Sequence, residues 1–145
     1  MHPPKTPLLA TDCVAVDAGG RVLLIRRGSP PFKGAYALPG GFVDVGESVE
    51  DACRRELMEE TGVEAGRLEL LGVYSDPGRD PRGHTCSVVF LTRVRSATAK
   101  AGGDAAAAEW MVPRPGLELA FDHAKILDDA RRLLRGAKRK GSDGG

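Results

Sequence analysis

Between Gly41 and Val63 the chain reads GFVDVGESVEDACRRELMEETGV, and Glu56, Glu59 and Glu60 crowd the last two turns of what reads as a helix. At about 100° per residue, Val49, Ala52, Cys53 and Leu57 mark one apolar arc. Glu56 and Glu60 fall inside that arc, one turn apart and mutually repelling, with Glu59 at its edge. A solvated helix turns its carboxylates away from its apolar stripe. These two share it, so something positive must neutralise them. A hard divalent cation, which takes oxygen ligands, is the simplest candidate. The ordinary alternative is an amphipathic helix whose glutamates pair with arginines. At favoured helical spacing Arg55 meets Glu59, whereas Arg54 and Arg55 lie well round the helix from Glu56 and Glu60. The arrangement therefore favours a metal site.

The elements that must carry these residues follow from pattern. Ser48 reads as the helix N-cap, Asp51 completes a capping box, and Gly62 suits a left-handed stop. Residues 8–16 and 21–27 form two β-leaning runs joined by Asp17-Ala18-Gly19-Gly20, a hairpin signal. Pro39, Gly40 and Gly41 read as a tight turn whose backbone can approach a ligand closely. Residues 67–75 and 85–95 read as strands, and 109–112 as a short one bearing Trp110. The stretch between them, 96–108, is small and flexible and reads as a mobile loop. Asp122 is placed to cap a last helix striped by Ile126, Leu127, Ala130, Leu133 and Leu134 and ending at Gly136. Strands interspersed with two helices predict an α/β fold with a mixed sheet covered on both faces. One domain over 1–136 and a basic, disordered tail over 137–145 complete the expected organisation.

Composition narrows the function class. The chain has 145 residues and a formal charge of +1, so no global field points to nucleic acid or to a membrane surface. Cys13, Cys53 and Cys86 are odd in number and lack metal-ligand spacing, and they sit among apolar residues. Buried free thiols suit a reducing compartment. The N-terminus has no signal-peptide pattern and no apolar run is long enough to span a bilayer, so a soluble, cytoplasmic protein is expected.

The spacing itself carries a resemblance. Gly41, Glu47, Arg55, Glu56, Leu57, Glu59, Glu60, Gly62 and Val63 fill every defined position of the Nudix box, and the chain resembles the Nudix hydrolases, which cut nucleoside diphosphates linked to another moiety. The resemblance implies an α/β/α sandwich with the box helix against a mixed sheet between helices. It implies Mg²⁺, with Mn²⁺ as a substitute, held by Glu56, Glu59, Glu60 and the carbonyl of Gly40, while Gly41, Glu47 and Arg55 support the box. Glu56 or Glu59 is then a candidate to activate water. Similar enzymes recruit a further acid from a loop before the late strand. Asp104 is the preferred match, ahead of Glu109, because flanking glycines would let it swing inward.

The stretch SDPGRDPRGH followed by TCSVVF is similar to the ADP-ribose pyrophosphatase subgroup, with Pro77 or Pro81 as the matching proline. Arg26, Arg79, Arg82 and His84 are expected to offer donors to phosphate or ribose, and Asp76 and Asp80 to accept from ribose hydroxyls or simply form turns. Phe32, Tyr36 and Trp110 are the aromatics available to stack on a base or to pack in the core. His123 is expected to be structural. The partners implied are a small-molecule nucleotide substrate and, as the resemblance allows, a second copy in a homodimer, with no nucleic acid and no membrane. A non-catalytic ADP-ribose sensor, as in relatives fused to a DNA-binding module, is the rival of another class. The intact box acids and the end of the chain at Gly145 weigh against it.

Overall fold

The computed structural model describes residues 2–95 and 98–143, with the side chains of 138–143 left aside. Seven strands and two helices follow in the order β1 (Leu8–Val16), β2 (Val22–Arg27), β3 (Tyr36–Ala37), β4 (Gly40–Phe42), α1 (Val49–Thr61), β5 (Leu68–Tyr74), β6 (Thr85–Arg93), β7 (Ala105–Met111) and α2 (His123–Asp143). The sheet runs β3-β2-β1-β6-β5, with β4 added to β1 and β7 to β2. It is mixed: β1 and β6 are parallel along their whole length, and the other pairings are antiparallel.

Alternation along β1 and β2 assigns the layers. Cys13, Ala15 and Leu23 point to one face and meet Cys53 and Leu57 of α1, together with Val63 and Phe90. Val14, Val16, Val22 and Leu24 point to the other and meet Ile126, Leu127 and Ala130 of α2. Both faces of the central strands are therefore covered, which is why β1 reads as a nearly continuous apolar run. Complete burial of Leu57 and Ile126 stabilises each layer by roughly 1.5–3 kcal/mol per side chain. The α/β/α sandwich with a mixed sheet stands as the sequence implies.

Three local expectations are corrected. Gly40 and Gly41 lie in a strand paired with β1 at Asp12 and Thr11, not in a turn. The alanines at 105–108 belong to β7, where pairing with β2 outweighs their weak strand preference. Of the expected mobile loop, Ser96 and Ala97 fall outside the described residues, and the rest of it up to Asp104 is anchored as described below. The last helix also continues past Gly136 to Asp143, and the tail expectation for Gly144 and Gly145 falls outside the described residues. Among the described residues no helix is long and apolar enough to cross a membrane.

Candidate active site

The box helix starts and stops where its local chemistry dictates. Ser48 Oγ accepts the Asp51 N–H at 3.1 Å, and Gly62, at φ 71°, closes the other end by donating to Met58 O. The acidic side chains fall as the wheel requires: Glu60 is buried at 7% exposure, Glu56 is half-buried, and Glu59 is exposed.

Arg55 ties the box together. Its guanidinium grips Glu47 with two bonds, Nε to Oε2 at 2.7 Å and Nη2 to Oε1 at 2.9 Å. It also donates to Glu56 at 2.8 Å, to Glu59 at 3.2 Å and to the Phe42 carbonyl at 3.1 Å. The expectation that Arg55 does not reach Glu56 is thus corrected: a long, forked side chain can fold back onto its own neighbour, which helical spacing rules do not count. The hydrogen bonds from Arg55 and then from the Asp44 N–H hold Glu47 down at a pKa of about 2. Glu56 goes the other way. Burial raises it, and the bond from Arg55 only partly offsets that.

Glu60 is the least compensated of the acids. Its Oε1 accepts the Gly40 N–H at 2.7 Å. Burial, opposed by that hydrogen bond and reinforced by Glu56, Asp12 and Asp104, pushes its pKa up to about 8. Gly40 has no room for a side chain, and Gly41 beside it packs directly on Glu56. A Cβ on Gly41 would sit 2.6 Å from the Glu56 carboxylate, and one on Gly40 would strike Thr11 O and the Asp12 side chain. Two adjacent glycines thus cradle two carboxylates, an oxygen-rich donor set that suits a hard cation. Among the described residues no three acidic, imidazole or thiol groups converge as a ready-made shell. Glu56 is turned to Arg55 and Glu60 to the Gly40 N–H, so a cation would draw them from these partners.

The sign of the pH effect follows. A carboxyl raised from 4.5 to about 8 binds a proton in the folded chain that the unfolded chain has released, so its contribution is complete below about 4.5 and is lost as pH rises through about 8. Melting temperature of the metal-free protein should therefore fall between pH 5 and 8, and saturating Mg²⁺ should flatten the slope. Calorimetric melting across that range checks it; a flat metal-free profile would remove Glu60 as the uncompensated acid.

Glu56, Glu59, Glu60, Gly40, Gly41 and Asp104 line one cleft of about 360 Å³, within the range of small-molecule sites. Arg27 and Arg82 line the same cleft. Both guanidiniums lie over the Phe121 ring, at 5.0 and 5.5 Å from its centroid, and that of Arg82 lies 5.3 Å from Phe42 as well. Burial and the nearby Arg82 charge both lower the pKa of Arg27. Phe121 holds this place at φ 54°, a left-handed conformation that is costly for a bulky residue and persists only where the surrounding structure enforces it.

Several expected substrate contacts lie elsewhere. Arg26 is exposed, stacks on Tyr36 and donates to its hydroxyl, because strand alternation puts Arg27, not Arg26, on the face of Ile25, and it is that face that lines the cleft. Asp76 closes a turn on the Gly78 N–H, and His84 bonds the Ser75 carbonyl at 2.8 Å. Neither lines the cleft. Arg79 reaches the cleft wall, but it is 5% exposed and bound to Asp122 through two bonds of 2.9 and 2.7 Å. It latches the 75–84 segment to the start of α2, and the Asp122 side chain is spent on it rather than on a helix cap. Asp80 also lines the cleft; held below its ordinary value despite burial by hydrogen bonds from Arg82, it orients that arginine. Trp110 packs on the α1 side of the core.

Besides Arg27 and Phe121, an acidic cleft residue escaped the sequence reading. Asp12 is 8% exposed, accepts from Ser87 Oγ at 2.6 Å and lies 3.6 Å from His123 Nε2. Its signal was a charge within a strand otherwise apolar enough to be buried on both faces. His123 accepts the Leu38 N–H at Nδ1, and burial lowers its pKa. It is a neutral anchor for the Leu38–Gly40 segment, in keeping with the structural role expected of it.

Comparison with known proteins places this geometry. The profile of the family described as NUDIX domain matches residues 6–130. An ADP-ribose pyrophosphatase of Methanocaldococcus jannaschii is 48% identical over 130 residues, 90% of this chain and 76% of that protein. The ADPR responsive transcriptional repressor NtrR of Acinetobacter baylyi is 32% identical over 92% of this chain, which spans 57% of the repressor. Among solved structures, the NUDIX domain of Shewanella oneidensis NrtR complexed with ADP ribose superposes with a TM-score of 0.85 at 30% identity, covering 90% of each chain.

Proposed function

The chain belongs to the Nudix family of pyrophosphohydrolases, and on that premise we propose that it hydrolyses ADP-ribose to AMP and ribose 5-phosphate with Mg²⁺, or Mn²⁺ in its place. The observation that carries the reading is the meeting of acids and arginines in one cleft. Buried Glu60 and half-buried Glu56 line it together with Arg27 and Arg82. A divalent cation on the acids and an anionic diphosphate on the arginines satisfy both. Similarity over 90% of the chain to a protein named for ADP-ribose cleavage supports the choice of substrate.

In this reading Glu56, Glu59, Glu60 and the Gly40 carbonyl hold the cation. A bound divalent ion supplies charge neutralisation at the diphosphate oxygens and lowers the pKa of water. Arg27 and Arg82 orient the phosphates, since two planar guanidiniums fixed over one ring offer donors in a set direction. Arg55 keeps the Glu56 carboxylate in place through the Glu47 bridge. Asp104, in the same cleft, accepts the proton that the attacking water gives up.

The test is direct. With ADP-ribose and Mg²⁺, equal amounts of AMP and ribose 5-phosphate should accumulate, and a panel of other nucleoside diphosphate derivatives should be cut more slowly. The likeness to an ADPR responsive repressor favours one second reading, a sensor of the same ligand. Saturable binding of ADP-ribose with the ligand left whole after Mg²⁺ and Mn²⁺ would establish the sensor and overturn the hydrolase.

A further inference from the structure

The segment that delivers Asp104 does not hang free. The last carbonyls of any helix lack partners within it, and here the Lys100 and Gly102 N–H groups supply them, bonding Thr61 O at 2.8 Å and Glu60 O at 3.1 Å. A tight turn follows, closed by Ala105 N–H on Gly102 O at 3.1 Å, with Gly103 at φ 57° as its first central residue. Beyond it, the Gly28 N–H takes the Asp104 carbonyl at 3.2 Å. Asp104 is therefore held between the C-terminus of the helix that bears Glu56, Glu59 and Glu60 and the residue that follows β2.

Two bare Cα atoms make this fit. A Cβ on Gly102 would run into the Glu59 carbonyl, and a Cβ on Gly28 would stand 2.7 Å from the Asp104 carbonyl. Both obstacles are backbone atoms, which cannot rotate aside as a flexible side chain can. Each glycine is thus required by close approach rather than by mobility, which corrects the expectation that the glycines let Asp104 swing.

We propose that Gly102 and Gly28 are positioning residues for hydrolysis: they dock the 100–104 turn onto the last carbonyls of the box helix and fix Asp104 over the cation-binding carboxylates, so that the proton acceptor and the metal site form one rigid unit. The proposal rests on the role of Asp104 given above and goes beyond it. Glu60 contributes twice, its carboxylate to the cleft and its carbonyl to the turn.

A double-mutant cycle tests it on the full chain, with ADP-ribose or whichever nucleoside diphosphate derivative is cut fastest. Asp104→Asn should lower kcat by about 10². Gly102→Ala should lower kcat at least about tenfold, with KM and the Mg²⁺ half-saturation unchanged, a split that general loosening of the fold would not give. The double variant should be no slower than Asp104→Asn alone, because a displaced turn costs nothing once its carboxylate is gone. If Gly102→Ala does not fold, Gly28→Ala, which presses on the turn from the opposite side, is read the same way. Normal kcat in both glycine variants, or losses that multiply with that of Asp104→Asn, would overturn the docking role. Full activity of Asp104→Asn would remove the acceptor and this inference with it, and would leave the hydrolase reading to stand or fall on product formation.

Discussion

Glu60→Gln should lower turnover of ADP-ribose by about 10²–10³ and leave the fold unharmed. The amide oxygen of glutamine can still accept the Gly40 N–H, so the strand contact that fixes β4 against α1 survives. What disappears is a carboxylate that burial leaves reluctant to ionise, with a pKa of about 8. Two consequences separate this from simple damage. Without a divalent cation the variant should melt as high as the parent near pH 4.5 and progressively higher than it as pH rises to 8, because there is no longer a buried carboxyl to protonate or ionise. Its stabilisation by Mg²⁺ should shrink, because stabilisation by a ligand follows its affinity for the folded state. Turnover with saturating Mg²⁺ and melting with and without the ion are the measurements. Parent-like turnover would exclude Glu60 from the site.

Arg79→Ala is expected to act on stability far more than on substrate. The guanidinium is buried, its two bonds to Asp122 are short, and its third contact, to Thr85 O, ties the 75–84 segment to β6. Asp122 raises the pKa of Arg79 in spite of burial, the mark of a pair whose partner depends on it. Removing one member of a buried pair leaves the other charge uncompensated and costs roughly 3–5 kcal/mol, which for a chain of this size lowers the melting temperature by roughly 10 °C. At a temperature where the variant remains folded, KM should change less than twofold. A large rise in KM with normal melting would instead return Arg79 to the substrate. Arg82→Ala is the informative companion, since its side chain is half exposed at the mouth of the cleft and its loss should raise KM with little effect on melting.

These two arginines, three residues apart, show where sequence reading loses its grip. Both look like loop cations facing solvent, and the dipeptides around them are turn sequences. Their fates differ because Asp122, 43 residues further on in the chain, comes back across the site in the folded molecule and claims only one of them. Arg26 and Arg27 differ for a related reason. Strand alternation tells that neighbours point opposite ways, but which face of β2 borders the cleft depends on distant segments, because the lining comes from β4, α1 and the 79–85 stretch as well. Asp12 was overlooked because an apolar run drew attention to packing, and only its parallel pairing with β6 brings Ser87 to its carboxylate.

The box helix, its caps, the inward turn of Glu56 and Glu60 and the layered α/β fold were legible from period and capping within short spans of chain, where helix and strand geometry set the contacts. The support given by Glu47 and Arg55 was legible only through the resemblance that the box carries. Only folding of the whole chain settles which arginines share the cleft with the acids, that the Asp104 turn is bonded to the box helix, and that Gly40 and Gly41 form a strand against two carboxylates. Those outcomes depend on the meeting of distant segments, where a shift of one residue in register or one ion pair across the fold redirects a side chain, and no local pattern encodes that choice.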